Sequence, residues 1–173
     1  QFLSVSSGEF FVCCSPDDQF HQSFLTIFNQ YFQIYPNSKI YFSDCEKIDF
    51  NNRFTPFLKP EILAPELLLS DNYLSRAIIN KETALDLDFT VIENIDLFLQ
   101  EWHRLLEITK RTKQITHIPF ILIKHHLYPL DSRNIKEKIF TPYFKNLNFE
   151  VNVDHQALKF NWNFDPPLVS III

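Results

Sequence analysis

The spacing of apolar residues changes several times along the chain. "EFFVCC", residues 9–14, is a short continuous apolar run and predicts a buried strand. From Asp18 the interval lengthens: Phe20, Phe24, Phe28, Tyr31 and Phe32 recur at helical spacing. That helix is expected to stop before Pro36, because the residue ahead of a proline is pushed out of the α region. "KIYFSD", 39–44, reads as a second short strand, and the proline-bearing stretch from 46 to 65 as irregular. "PELLLSDNY" predicts a turn or two of helix from Pro65, and "RAIIN", 76–80, a strand. The clearest helix spans 94–109, with Ile95, Phe98, Leu99, Trp102, Leu105 and Leu106 on one stripe.

"THIPFILIKHH", 116–126, predicts a strand, and Pro119 near its start implies a sheet edge or a bulge. A further helix is expected from Ser132 to about Phe140. "FEVNV" and "ALKFNW" flank Asp154–Gln156 as a hairpin whose turn lacks glycine. "PPLVSIII", 166–173, is an apolar, β-branched run of the kind found inside parallel sheets. Strands alternate with helices, so the fold class is α/β. Both ends read as strands without their neighbours, and the expectation is an internal piece of a longer protein.

Composition narrows the class. With 173 residues, 46% of them hydrophobic and 19 of them Phe, the chain has the means for one domain with a real core and is not a disordered polymer. A net charge of -5 argues against nucleic acid or an anionic membrane surface as partner. The basic cluster Lys110, Arg111 and Lys113 suits the C-terminal end of a helix. No apolar run reaches the ~20 residues that span a bilayer, and no signal peptide opens the chain. Cys13, Cys14 and Cys45 form neither a disulfide framework nor a zinc motif; buried, reduced thiols in a cytosolic protein are expected.

"VCCSPDDQF", 12–20, carries the first candidate chemistry. Two aspartates where a strand gives way to a helix can hold a divalent cation through hard oxygen ligands. They can equally cap the helix. The residues alone leave both readings open.

Three stretches carry a resemblance. "GEFFVCCSPDDQF", then "IYFSDCEKID" followed by "RFTPFLKPEILAPELLLSDNY", then "THIPFILIKHH" together resemble the family-2 glycosyltransferases of the bacterial polysaccharide type, which have the GT-A fold. The matching positions include Arg53, Lys59, Pro60 and Leu67 to Tyr73. The resemblance covers nearly all of 1–126, and "PPLVSIII" resembles the opening strand of another such domain. It implies that 1–127 is the C-terminal half of a Rossmann-like GT-A domain. Residues 128–165 would then be a linker with a helix and a hairpin, and 166–173 the first strand of a second glycosyltransferase domain in the same full-length chain.

The implied activity moves a sugar from a nucleotide sugar to a glycan acceptor, in the cytoplasm, with membrane association through regions outside this chain. Such a transfer stabilises a departing diphosphate, usually with a metal as Lewis acid, and removes a proton from the acceptor hydroxyl. By the resemblance, the first metal-motif aspartate falls on Ser15 and the second on Asp17, the better metal candidate; Asp18 follows as the next candidate and as the favoured helix cap. Mg²⁺ or Mn²⁺ is the implied cofactor, weakened or lost if Ser15 has replaced a carboxylate. Asp44 and Glu46 would touch the donor sugar or the metal's surroundings, or form a solvent-exposed pair. The base position falls on Asn94, with Asp96 as the second acidic residue and Glu93 beside them as a substitute; all three also suit a helix N-terminus.

Lys124 falls where the family often has a histidine, and a one-residue bulge would bring His125 there instead; the plain alternative is an exposed polar strand end. Ser70, Asn72 and Tyr73 would line the acceptor groove, or simply end a short helix, while His117 is expected to make a structural hydrogen bond. Ser15, Asn94 and Lys124 depart from the family pattern together. They raise a second reading, a catalytically degenerate, transferase-like module that binds a glycan or scaffolds its neighbour.

Overall fold

A computed structural model describes residues 6–49, 51–61, 73–85, 105–109, 112–126, 149–154 and 157–162, the last two stretches by their backbone. Ser70, Asn72, Glu93, Asn94 and Asp96 lie outside the described residues, as do most of the helix expected over 94–109, the helix expected from Ser132 and the run "PPLVSIII". The chain divides into two compact units, Gln1–Pro129 and Leu130–Ile173.

The first unit is built on a mixed sheet. Its elements are β1 (Phe10–Val12), β2 (Gln19–Phe20), α1 (Phe24–Ile34), β3 (Ile40–Ile48), β4 (Phe54–Phe57), β5 (Ile78–Asn80), α2 (Lys81–Leu85), a helical stretch at 105–109, and β6 (Ile115–His126). The strand order is β1-β5-β3-β6-β2, with β4 also pairing with β3. β3 and β6 run parallel, and every other pairing among the described strands is antiparallel. One edge of β3 is shared between two strands: β5 takes Ile40 and Tyr41, and β4 takes Cys45 to Ile48.

β3 therefore does not stop at Asp44, as the apolar pattern suggests. It runs on through "CEKI" because β4 supplies a backbone partner from within the stretch read as irregular. Pro56 is tolerated in β4 because that strand pairs only with β3 among the described strands, and a missing N–H on the outer side costs no ladder bond. Pro119 has a different solution. β6 pairs with β3, its partner β2 reaching only Ile123 and Lys124, and its pairing with β3 jumps from Ser43 opposite Ile118 to Asp44 opposite Ile121. Both expectations for Pro119 are met: the register breaks there, and β2 pairs with β6 only at Ile123 and Lys124.

The N-terminal segment also departs from the pattern. β1 ends at Val12, and Cys13 and Cys14 are exposed beyond it; only Cys45 is the buried thiol expected of all three. The helix begins at Phe24, not at Asp18, because Gln19 and Phe20 are first drawn into β2 against Lys124 and Ile123. Its N-cap is Ser23, whose side chain makes no capping bond. It ends at Ile34, ahead of Pro36.

α1 lays Phe24, Ile27, Phe28, Tyr31 and Phe32 on the sheet, against a buried cluster of Tyr41, Cys45, Ile78, Ile118, Leu122 and Ile123. Phe10 meets Phe28, Phe32 and Tyr41 edge-on, with ring centroids 5.4, 5.5 and 5.9 Å apart. This is the geometry that the positive edge and negative face of aromatic rings favour. Each fully buried aliphatic side chain contributes about 1.5–3 kcal/mol.

In the second unit, β7 (Phe149–Asp154) and β8 (Ala157–Trp162) form an antiparallel hairpin, with Phe149 opposite Trp162 and Asp154 opposite Ala157.

Candidate functional site

Ligands of sheets with parallel strands gather outside the carboxyl ends of those strands. β3 and β6 finish side by side, with Glu46 opposite Lys124, Lys47 opposite His125 and Ile48 opposite His126. Two turns close over this edge. One, residues 15–18, follows β1; the other, residues 74–77, precedes β5.

In the first turn the Asp18 N–H donates to the Ser15 carbonyl at 3.1 Å, and the Ser15 N–H donates back to Asp18 Oδ2 at 2.7 Å. The Asp18 carboxylate is thereby aimed inward, and its side chain has no exposed surface. It meets Arg76 there: Nε donates to Oδ2 at 2.8 Å and Nη2 to Oδ1 at 3.3 Å. Asp18 is thus not the helix cap that its position suggested; its carboxylate holds a guanidinium. Asp17, next to it, is exposed.

Arg76 is held in an unusual backbone state, φ 60°. For a side chain with a Cβ the left-handed region costs about 1–2 kcal/mol. The turn that imposes it is closed by the Ala77 N–H donating to the Leu74 carbonyl at 2.9 Å. Arg76 Nη1 donates to Ser75 Oγ at 2.7 Å, and Lys59 Nζ reaches the Ser75 carbonyl at 3.4 Å. Arg76, Ser75 and Lys59 are all buried. "YLSRAIIN" offered one signal of this, since Arg76 is the lone charge ahead of an apolar run; its partner, 58 residues earlier, had none.

His125 is buried behind these cations. Its Nδ1 lies 3.3 Å from the His126 carbonyl, which can only accept, so Nδ1 carries the proton. Nε2 is then left to accept from the Cys45 thiol at 3.4 Å. Burial pushes the imidazole pKa down to about 4, with Arg76 and Lys59 pressing the same way against the opposing pull of the His126 carbonyl and Asp18. The ring is neutral near pH 7 and brings no positive charge to the edge. Nor is it the exposed strand end that the plain reading expected.

Asp44 is buried as well, which removes the reading of Asp44 and Glu46 as a solvent-exposed pair. Its Oδ1 accepts from the Lys59 backbone N–H at 2.8 Å and lies 2.9 Å from His117 Nε2. The His117 ring stacks on Phe42 at 4.8 Å. Asp44 sits where the β3–β6 register breaks, and ties β3, β6 and the segment at Lys59 together. Glu46 stands apart from it, with Lys124 Nζ 3.0 Å from Oε2, an approach without the direction of a hydrogen bond. Lys124 is 44% exposed and lies 5.2 Å from the centroid of the exposed Phe54 ring. Tyr73 stacks on Phe57 at 5.3 Å, and Lys47 Nζ lies 3.3 Å over the Phe57 ring.

The structure therefore brings Asp18, Arg76, Ser75, Lys59, His125 and Cys45 into one buried polar cluster. Asp44 and His117 adjoin it through Lys59, while Glu46, Lys124 and Tyr73 stand nearer the surface. Among the described residues no three His, Cys, Asp or Glu side chains are grouped to hold a metal ion, and Asp18 already accepts from Arg76 and from the Ser15 N–H. A cavity of about 450 Å³, lined by Ser7, Gly8, Glu9, Asn80, Lys81, Glu82 and Leu85, lies at the other end of β1 and β5, away from this cluster.

No protein-family model and no curated protein sequence matches the chain. No described helix is long and apolar enough to cross a membrane. Among solved structures the chain is similar to S. aureus TarS, residues 1–349, in complex with UDP, with a TM-score of 0.60 at 15% identity. The match covers 86% of this chain and 44% of that one, so the chain spans less than half the length of its structural neighbour. The likeness is a distant one to a glycosyltransferase, and it shows the fold: a curled, mixed, Rossmann-like sheet of the glycosyltransferase kind.

Proposed function

We propose that residues 1–127 form the C-terminal half of a GT-A glycosyltransferase domain of family 2. Its reaction moves a sugar from a nucleoside-diphosphate donor to a glycan acceptor during cell-surface polysaccharide synthesis in the cytoplasm. One observation carries this reading: the fold likeness, over 86% of the chain, to a structure that holds UDP. Its support in the site is chemical. A diphosphate brings concentrated negative charge; buried Arg76 and Lys59 meet at Ser75, and Lys124 lies nearer the surface at the end of β6. Fixed cations in a site shielded from water stabilise a departing diphosphate more than the same charges in solvent do. Tyr73, with Ser70 and Asn72, is proposed for the acceptor side, and Glu93, Asn94 and Asp96 for the removal of the acceptor proton.

A second reading has its own observation. Asp18 is spent on Arg76, and a donor site that is internally satisfied suits a transferase-like module that binds without turnover. One experiment separates the two. UDP is titrated into the chain calorimetrically, and UDP release from UDP-sugars is measured alongside, with and without the rest of the domain. Binding with release supports the transferase; binding without release under any of these conditions supports the module. Absence of both defeats both readings.

A further inference from the structure

We infer that Arg76 is the built-in cation of this site: its guanidinium occupies the Asp18 carboxylate, so that a nucleoside diphosphate binds at this edge without a divalent metal ion. The nucleotide in this inference rests on the transferase reading above; the occupation of Asp18 by Arg76 does not.

The geometry is that of a paired fork. Nε and Nη2 of Arg76 address the two oxygens of one carboxylate at 2.8 and 3.3 Å, and the Ser15 N–H adds a third donor at 2.7 Å. A carboxylate offers about four lone-pair sites. An arriving cation would find most of them taken, in a side chain with no exposed surface. Divalent cations such as Mg²⁺ and Mn²⁺ bind through several oxygens at once, and Mg²⁺ sheds its water reluctantly. It would also have to displace a guanidinium that never loses its charge and matches the carboxylate plane.

The surroundings keep Arg76 in that role. Ser75 Oγ accepts from Nη1 at 2.7 Å, and the left-handed backbone at φ 60° turns the side chain back toward the 15–18 turn. Lys59, buried, comes within 3.4 Å of the Ser75 carbonyl, so a second fixed cation stands beside the first. Ser15 stands where the resemblance calls for a carboxylate, and its backbone N–H orients Asp18 toward Arg76. The motif thus lacks a carboxylate at Ser15, and of the two aspartates that follow, Asp18 is committed to a protein cation.

The test is a calorimetric titration of UDP into the full chain, in EDTA and again in excess MnCl₂. Equal affinity within about twofold in the two buffers supports the inference, as does a loss of about tenfold or more in Arg76→Gln. A gain of about tenfold or more from Mn²⁺ in the native chain overturns it. Arg76→Lys, which keeps the charge without the fork, is expected to fall between the two, and Asp18→Asn/Arg76→Gln serves as the neutral pair should Arg76→Gln not fold. If UDP binds in neither buffer, the transferase reading fails. The occupation of Asp18 is then decided by Mn²⁺ alone, through water-proton relaxation. Silence of the native chain supports it, and Mn²⁺ binding that Asp18→Asn abolishes overturns it.

Discussion

The two halves of β3 share a backbone and a sheet but obey different physics. From Ile40 to Phe42 the strand is apolar and fully buried, in unbroken register with β6. From Ser43 to Lys47 it is polar, and its register with β6 shifts on both sides of Asp44. In the first half any apolar side chain of suitable volume keeps the strand in place, since burial is non-directional. In the second, buried Asp44 and Cys45 are held by specific partners at set distances: Asp44 by the Lys59 N–H at 2.8 Å and His117 at 2.9 Å, Cys45 by His125 at 3.4 Å. Losing such a partner leaves a buried polar group uncompensated. The lesson is that this sheet is insured at one end by packing and at the other by pairing, and the paired end is where the candidate chemistry lies.

The sharpest way to break this contrast is at Arg76. Arg76→Ala leaves the Asp18 carboxylate buried without its guanidinium, and removing one partner of a buried pair costs about 3–5 kcal/mol. Urea unfolding should show that loss, and Asp18→Asn/Arg76→Ala should recover part of it. A double variant no more stable than Arg76→Ala would mean that the stranded charge is not the cause.

At the packed end, Leu122→Ala removes a side chain with 1% exposure and is expected to cost about 2–5 kcal/mol. The same titration that reads UDP affinity should find that affinity intact in whatever fraction stays folded, because Leu122 belongs to the core cluster. Weaker UDP binding by the folded protein would show that packing and pairing are not separate.

The next effect is one of pH. The folded-state pKa of His125, about 4, lies below its ordinary 6.5, so the unfolded chain binds a proton that the folded one refuses. Its contribution to stability is fully present above 6.5 and is lost as pH falls from 6.5 through 4. Thermal melting should decline over that window, and His125→Gln should flatten the decline. A slope unchanged by the substitution would assign it to other groups.

The smallest effect is expected on the outer face of α1. Leu25 is 73% exposed, and Leu25→Ser should change stability by no more than about 0.5 kcal/mol. A larger loss, measured by the same urea titration, would reveal a packing partner for that face.

Much of the frame was legible from local periodicity. The stripe Phe24, Phe28, Tyr31 and Phe32, the stop before Pro36, the strand at 116–126 and the pairing of "FEVNV" with "ALKFNW" all follow from spacings of a few residues. A side chain's neighbours within an element are set by the element's own geometry, so the sequence determined these by itself. It also determined which residues were available for chemistry, and the absence of a carboxylate at Ser15.

The tertiary structure alone decided what those residues do. It prolonged β3 by supplying β4, and broke the β3–β6 register at Pro119. It drew Gln19 and Phe20 into β2, which moved the helix start away from Asp18 and left that carboxylate to face inward. Its partner Arg76 is 58 residues away, Asp44 meets His117 across 73, and Cys45 meets His125 across 80. Pairings of that range have no local period to betray them. They exist because burial withdraws charged and polar groups from water, and each must then be satisfied by whatever the fold brings within about 3 Å.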